Sequence, residues 1–312
     1  MDTVLKTKQI KPDKHKNKIK GCKQDKIFNV FNIAFLVICL IIFIYPLIFV
    51  LSASFTKPSD VLSGKMFLFP TSLYFEGYKA IFEYKGIWTG LLNSVIIVVA
   101  GSALNMAVTF TVGYAFSRKD FFGKKFFMFF FIFAMFFSGG LIPTYLLVSE
   151  TLRMDNSLLA LIIPGAVSTW NIILAKTYFS SSLSDELLEA AKIDGCSNIS
   201  FFFKIALPLA KPIIAVILLY NIVGRWNSYF DAMIYLQDPN LFPLQLVIQN
   251  LISNNQITNL DPNAGNISID AMYKAEGMKY GVIILSTIPM LIIYPFVQKY
   301  FIKGVMVGSL KG

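Results

Sequence analysis

Apolar runs of about 20 residues alternate with short polar links along the chain, and a helix needs roughly that length to cross the hydrocarbon of a bilayer. The first run covers about residues 28–54 and has Pro46 inside it. A polar and aromatic segment, 55–84, separates it from a second run over 87–116, which opens with Trp88, a residue type suited to the membrane–water interface. The basic link 117–125 (SRKDFFGKK) leads into a phenylalanine-rich run over 126–149, and a fourth run follows over 157–179. Residues 180–206 are much less apolar; a fifth run covers 207–223 and a sixth 280–301, after a long polar stretch. The pattern predicts an all-α integral membrane protein with six transmembrane helices.

Composition agrees with that reading. AVILMFWYC residues make up 55% of the 312 residues and only 15% are charged, against roughly 25% in soluble domains. Mean hydropathy is +0.62. The polar, lysine-rich segment 1–26 precedes a run too long for the apolar part of a signal peptide, and no small-residue cleavage pattern follows, so the first span is expected to be retained. With the N-terminus inside, the inner segments carry 9, 4, 4 and 3 Lys or Arg, and the outer ones 4, 1 and 3. Basic residues favour the cytoplasmic side, so both termini are expected in the cytoplasm. The net charge of +10 then belongs to a solvated tail, 1–26, and to links beside anionic lipid, and no nucleic-acid partner is expected. Prolines 46, 143, 164, 289 and 295 fall in or near the runs, where each can kink a helix. The single histidine, His15, and the scattered Cys22, Cys39 and Cys196 give no metal-type spacing and no disulfide framework.

Residues 182–195 read SLSDELLEAAKIDG. Ser182 or Ser184 can cap a helix, Asp185, Glu186 and Glu189 suit its first turns, and Gly195 suits its stop. Leu183, Leu187, Leu188, Ala191 and Ile193 supply an apolar stripe. A second short helix is expected over about 199–206. On the residues alone this helix–turn–helix is either an amphipathic element resting on the bilayer or a docking element for a cytoplasmic partner.

The stretch EAAKIDGCSNISFFFKIALP, 189–208, places Glu189, Ala190 and Ala191 before Gly195, and Ile205, Ala206, Leu207 and Pro208 after it. This resembles the coupling-loop signature of binding-protein-dependent import permeases, and it lies between the fourth and fifth expected spans, where that family carries it. The resemblance extends over essentially the whole chain. Tyr45 and Pro46 with Ser52, Ser54 and Phe55, the pair Asn93 and Ser94, the GGLIPT run at 139–144, Arg225, Trp226 and Asn227 with Phe230, and the C-terminal run 299–312 look like the carbohydrate-uptake branch. The resemblance implies a permease domain over 27–312 with a coupling loop at 182–208, in a bacterial cytoplasmic membrane. It also implies a second, homologous permease subunit, cytoplasmic ATPase subunits and an extracytoplasmic solute-binding lipoprotein. It implies that Glu189 anchors the coupling helix on the ATPase, that Ala190 and Ala191 permit close approach, that Gly195 makes the turn, and that Ile205, Leu207 and Pro208 lead into the fifth span.

No GxxxxGK[ST] loop is present, so ATP hydrolysis is expected on other chains and no cofactor or catalytic residue on this one. Saccharides are held by aromatic faces and polar side chains in concave sites. Trp170, Asn171, Tyr220, Asn221, Trp226, Asn227 and Tyr229 are the candidates for the substrate pathway, and Arg225 leaves room for an acidic sugar. An importer for another solute keeps the same loop, whereas a secondary transporter, a channel or an assembly protein does not account for it.

Overall fold

The computed structural model describes residues 23–258 and 269–309. Most of the expected tail therefore lies outside the described residues, and the first helix begins inside it, at Lys23. The chain falls into two compact units, 1–49 and 50–312, and each is described by itself. Residues 23–49 of helix α1 (Lys23–Ser54), which carries Pro46 in its interior, make up the described part of the first unit.

In the second unit the short helices α2 (Pro58–Leu62) and α3 (Glu76–Glu83) precede α4 (Lys85–Ser117), a 33-residue helix on which the unit is organised. Its buried side carries small and polar residues, among them Gly90, Ser94, Gly101, Ser102, Asn105 and Gly113. Small residues let helix backbones approach closely in membranes. A Cβ on Gly113 would stand 2.7 Å from the Ala175 Cβ, which shows how tightly α4 meets α8.

Where the sequence predicts one span over 126–149, the chain forms α5 (Lys124–Phe136) and α6 (Leu141–Leu146), with a π-helical turn at Leu147–Thr151 continuing α6. The two halves meet at 116°. Gly140 has φ 86° and ψ 179° at this break, a region open essentially to glycine alone. The fourth run is also divided: α7 (Leu159–Ile162) and the 3-10 turn Pro164–Ala166 meet α8 (Thr169–Ser182) at 43°. Ser168 caps α8 by accepting from the Asn171 N–H.

Helix α9 (Asp185–Ile193) and α10 (Asn198–Phe201) follow, and a π-helical turn at Phe202–Ala206 joins α10 to α11 (Leu207–Leu209). Helix α12 (Lys211–Asn227) leaves at 79° to them. The fifth run was expected to start at Leu207; the break falls at Ala210 because Pro212 has no N–H to offer the Pro208 carbonyl. Then come α13 (Phe230–Tyr235), α14 (Leu244–Thr258) and α15 (Ile269–Ser309), the last with Pro289 and Pro295 inside. Among the described residues, three helices are long and apolar enough to cross a membrane alone, and up to six spans result if each bent pair is one span. The structure is an all-α integral membrane fold.

Among the described residues, the two largest of four apolar clusters tie the long helices of the second unit together. One joins Ile81, Ile87, Val98, Trp226, Leu244 and Val282, from α3, α4, α12, α14 and α15. Asn93 and Ser94 add polar ties there: Asn93 Nδ2 donates to the carbonyls of Asn240 and Phe242 at 2.8 and 3.2 Å, and the Leu244 N–H donates to Ser94 Oγ at 2.8 Å. The other core joins Phe110, Phe179, Leu188, Ala191, Phe201 and Ile217, from α4, α8, α9, α10 and α12.

Candidate functional site

A cavity of about 570 Å³ opens between α4, the broken α7–α8 segment, α12 and α13. Asn105 of α4 organises its wall and is 1% exposed. Its Oδ1 accepts from Thr109 Oγ1 at 3.2 Å, Asn171 Nδ2 at 3.4 Å and Asn221 Nδ2 at 2.9 Å. Its Nδ2 donates to the carbonyls of Gly165 and Ala166 at 3.2 and 3.1 Å. Those carbonyls are free of helical partners because the chain breaks between α7 and α8, and the Asn105 amide satisfies them, alone at Ala166 and together with Arg225 at Gly165. Side chains on α4, α8 and α12 thus meet at a single polar centre.

Arg225, in the last turn of α12, lies half-buried in the same wall. Nη1 donates to the Leu161 carbonyl at 2.9 Å and Nη2 to the Gly165 carbonyl at 2.8 Å. Thr144, Ser168, Tyr220, Asp231 and Tyr235 complete the polar lining. Tyr235 stacks on Tyr145, ring centroids 5.9 Å apart.

Of the seven residues expected in a substrate pathway, the cavity brings together Asn171, Tyr220 and Asn221. Trp226 is turned into the apolar core, 4% exposed, with its indole N–H donating to the Ser286 carbonyl at 3.1 Å. Asn227 lines a separate pocket with Trp226 and Tyr294. Trp170 and Tyr229 are exposed outside the cavity. Helical geometry accounts for Trp226: Tyr220, Asn221, Gly224 and Arg225 share one side of α12, and Trp226 has turned past it. Asn105 is the principal residue that the sequence reading missed. Its signal was there, as an amide inside an otherwise apolar run.

The α9–α11 element is built with complete ends. Ser184 caps α9 by accepting from the Leu187 N–H at 3.3 Å, and Ser197 caps α10 by accepting from Ser200 at 3.3 Å. At the C-terminus of α9, Gly195 has φ 76°. The Cys196 N–H reaches the Ala191 carbonyl at 2.9 Å and the Gly195 N–H reaches Lys192 at 3.0 Å, the pair of bonds that defines a Schellman closure. The expected apolar stripe divides into two faces. Leu188 and Ala191 are buried in the core, while Leu187 and Ile193 are exposed, as are Glu189 and Ala190. Ile205 and Leu207 pack partly buried against the core, and Pro208 is exposed. Tyr178 Oη donates to the Leu209 carbonyl at 3.0 Å, tying α11 to α8. Lys119, from the basic link, pairs with Asp185 at the start of α9. That hydrogen bond, and then the charge of Asp185, raise the Lys119 pKa above the usual lysine range.

Broken helices around a polar cavity, in an all-α membrane fold, are the architecture of a membrane transport component. The chain belongs to the family described as binding-protein-dependent transport system inner membrane component, whose profile matches residues 108–307. It is a multi-pass inner-membrane permease subunit of an ABC transporter, not itself an enzyme. Protein LplC of Bacillus subtilis (strain 168) is 37% identical over 290 residues, 93% of this chain and 97% of that protein. The polygalacturonan/rhamnogalacturonan transport system permease protein YtcP of the same organism is 37% identical over 289 residues, 93% of this chain and 100% of that protein. A crystal structure of a bacterial ABC transporter involved in the import of the acidic polysaccharide alginate contains a chain that is 30% identical, with a TM-score of 0.80 over 90% of this chain and 99% of that one.

Proposed function

We propose that this chain moves a saccharide, an oligosaccharide in particular, inward across the cytoplasmic membrane as one of two homologous permease subunits of an ATP-driven importer. The observation that carries the reading is the cavity of about 570 Å³ walled by amides, hydroxyls and aromatic rings, the groups that hold sugar hydroxyls and sugar faces. The names of YtcP and of the alginate importer support the same cargo class. Asn171, Tyr220 and Asn221, joined by Asn105, are the residues assigned to the pathway, with the neighbouring permease completing it.

In this reading each bent pair is one span, six in all, within a permease domain over 27–312, and both termini face the cytoplasm. The α9–α11 element then faces the cytoplasm too and docks on an ATPase subunit. Exposed Ile193, Ile199 and Phe203 give it an apolar surface, and Glu189 gives it a charge at the edge. An extracytoplasmic solute-binding lipoprotein delivers cargo from the other side. ATP-driven closure of the ATPases moves α9, and the core it shares with α12 carries the movement to the cavity.

The test is uptake of a panel of labelled oligosaccharides in cells with the gene deleted, restored, or restored as Gly195→Pro. Loss of one saccharide class on deletion, its return with the intact gene and its absence with the variant at normal membrane abundance support the reading. Unchanged uptake of every saccharide, with loss of some other solute, overturns the cargo assignment.

A further inference from the structure

We infer that Arg225 is the carboxylate-binding, specificity-determining residue of this cavity, and that the cargo is a saccharide bearing carboxylate groups. The inference rests on the saccharide reading and adds a charge to it.

The guanidinium is held in a fixed place. A Cβ on Gly101 would stand 2.4 Å from its Cζ, and one on Gly165 would stand 2.9 Å from Nη2. Both positions need glycine for the planar group to lie between α4 and the turn after α7. Nη1 and Nη2 each donate to one backbone carbonyl, of Leu161 and Gly165. An arginine has five N–H donors, and those two carbonyls are neutral. Among the described residues no carboxylate stands within ion-pair distance of it. Asp231, which also lines the cavity, is within hydrogen-bond reach of Ser228 Oγ, at 3.5 Å, rather than of Arg225.

An arginine cannot shed its proton, so this charge persists inside a membrane protein without a counter-charge of its own. Ionisable groups in such positions pair with one another or with backbone carbonyls and mark substrate pathways; Arg225 has two carbonyls, and its remaining N–H donors and its charge are left for a ligand of the cavity it lines. A carboxylate fits the guanidinium's fork geometry and forms the stronger, charge-assisted hydrogen bonds. Ser168, Asn171, Tyr220 and Asn221 in the same wall suit hydroxyls, and the one lining carboxylate, Asp231, has Ser228 as its hydrogen-bond partner. One fixed cation among hydroxyl-binding groups is the complement of a uronic acid unit. A neutral sugar would leave the cation unpaired, and binding sites discriminate strongly when a buried polar group loses its partner.

The rival account makes Arg225 only a clamp on the broken α7–α8 segment, and direct binding separates the two. The permease–ATPase complex, purified in nanodiscs without the binding protein, is titrated with trigalacturonate, with its trimethyl ester and with neutral galactotriose. We expect the acid to bind at least about tenfold more tightly than the ester, the size of effect a charge-assisted pair supplies. Arg225→Gln is expected to erase the difference between acid and ester, and Arg225→Lys to retain part of it. Equal binding of acid and ester by the unaltered complex overturns the inference and needs no variant to fold. A loss in Arg225→Gln that falls equally on acid and ester also overturns it, in favour of the clamp. Galactotriose binding more tightly than the acid removes the charge but leaves the saccharide reading standing. Failure of all three to bind, with no saccharide taken up by cells, removes both.

Discussion

The side-chain amide of Asn221 donates to Oδ1 of Asn105 across 2.9 Å, joining α12 to α4 beside the cavity. The same oxygen takes Thr109 and Asn171, and the same side chain's Nδ2 holds two carbonyls of the α7–α8 break. Asn105→Ala therefore strands Thr109, Asn171 and the Ala166 carbonyl, whereas Asn221 keeps the Ile217 carbonyl and Gly165 keeps Arg225. A buried polar group without its partner costs about 1–3 kcal/mol, so the variant is expected to lose at least about 2 kcal/mol. Thermal unfolding in detergent checks this against Thr111→Ala, whose exposed hydroxyl bonds only to its own helix and whose loss should stay within about 0.5 kcal/mol. Equal midpoints for the two variants would remove Asn105 from the centre of the wall.

Gly195→Ala meets no steric obstacle, since nothing lies within 4 Å of the added Cβ. Only the backbone resists, at φ 76°, and a left-handed conformation costs a side-chain-bearing residue about 1–2 kcal/mol. Gly195→Asn should cost less, because asparagine tolerates that region. Uptake at matched membrane abundance is expected to rank glycine, asparagine, alanine. Any other order would separate the turn from coupling.

The Lys119–Asp185 pair is exposed, so salt should weaken it. Its pH dependence follows from the raised lysine pKa. The contribution is fully present below the ordinary lysine pKa and is lost only as pH climbs through the raised value. Between pH 6 and 9 it should therefore stay constant. ATPase activity of the assembled transporter is expected to fall with added salt more steeply in the intact protein than in Lys119→Gln. Parallel salt curves would show that the pair does not steady α9.

A Cβ on Gly77 would stand 2.6 Å from the Gly277 carbonyl oxygen, a contact between α3 and α15 that backbone atoms cannot relieve cheaply. Gly77→Ala should lift α3 from α15 and expose the 55–84 segment to protease at least several-fold faster. Lys79→Ala, on the same short helix, is the comparison, and equal cleavage rates would contradict the contact.

The apolar runs were legible because the period and length of a membrane helix are written in composition. The breaks within them were not. Residues 126–149 read as one span, yet Gly139 and Gly140 allow a 116° turn that hydropathy does not register. The ends of α9 were readable from Ser184 and Gly195, since capping is local chemistry. Its two faces were not, because Leu187 and Leu188 are alike in hydropathy and differ only in what stands opposite. For the same reason Trp226 looked like a sugar platform: an aromatic suited to stacking is equally suited to a core, and only tertiary contact chose between them. Asn105 was less legible because no aromatic residue adjoins it, whereas Asn171, Asn221 and Asn227 each follow one, and the cavity is organised from the middle of α4.

Leu188 and Ala191 of α9 share an apolar cluster with Ile217 of α12, and the chain also connects the two helices through α10 and α11. These are different mechanical links. A polypeptide segment carries tension, and side chains at crystal-like density resist compression. In the proposed cycle, displacement of α9 toward α12 is thus delivered by contact and displacement away from it by the backbone, so a single small element would drive the cavity wall on both strokes.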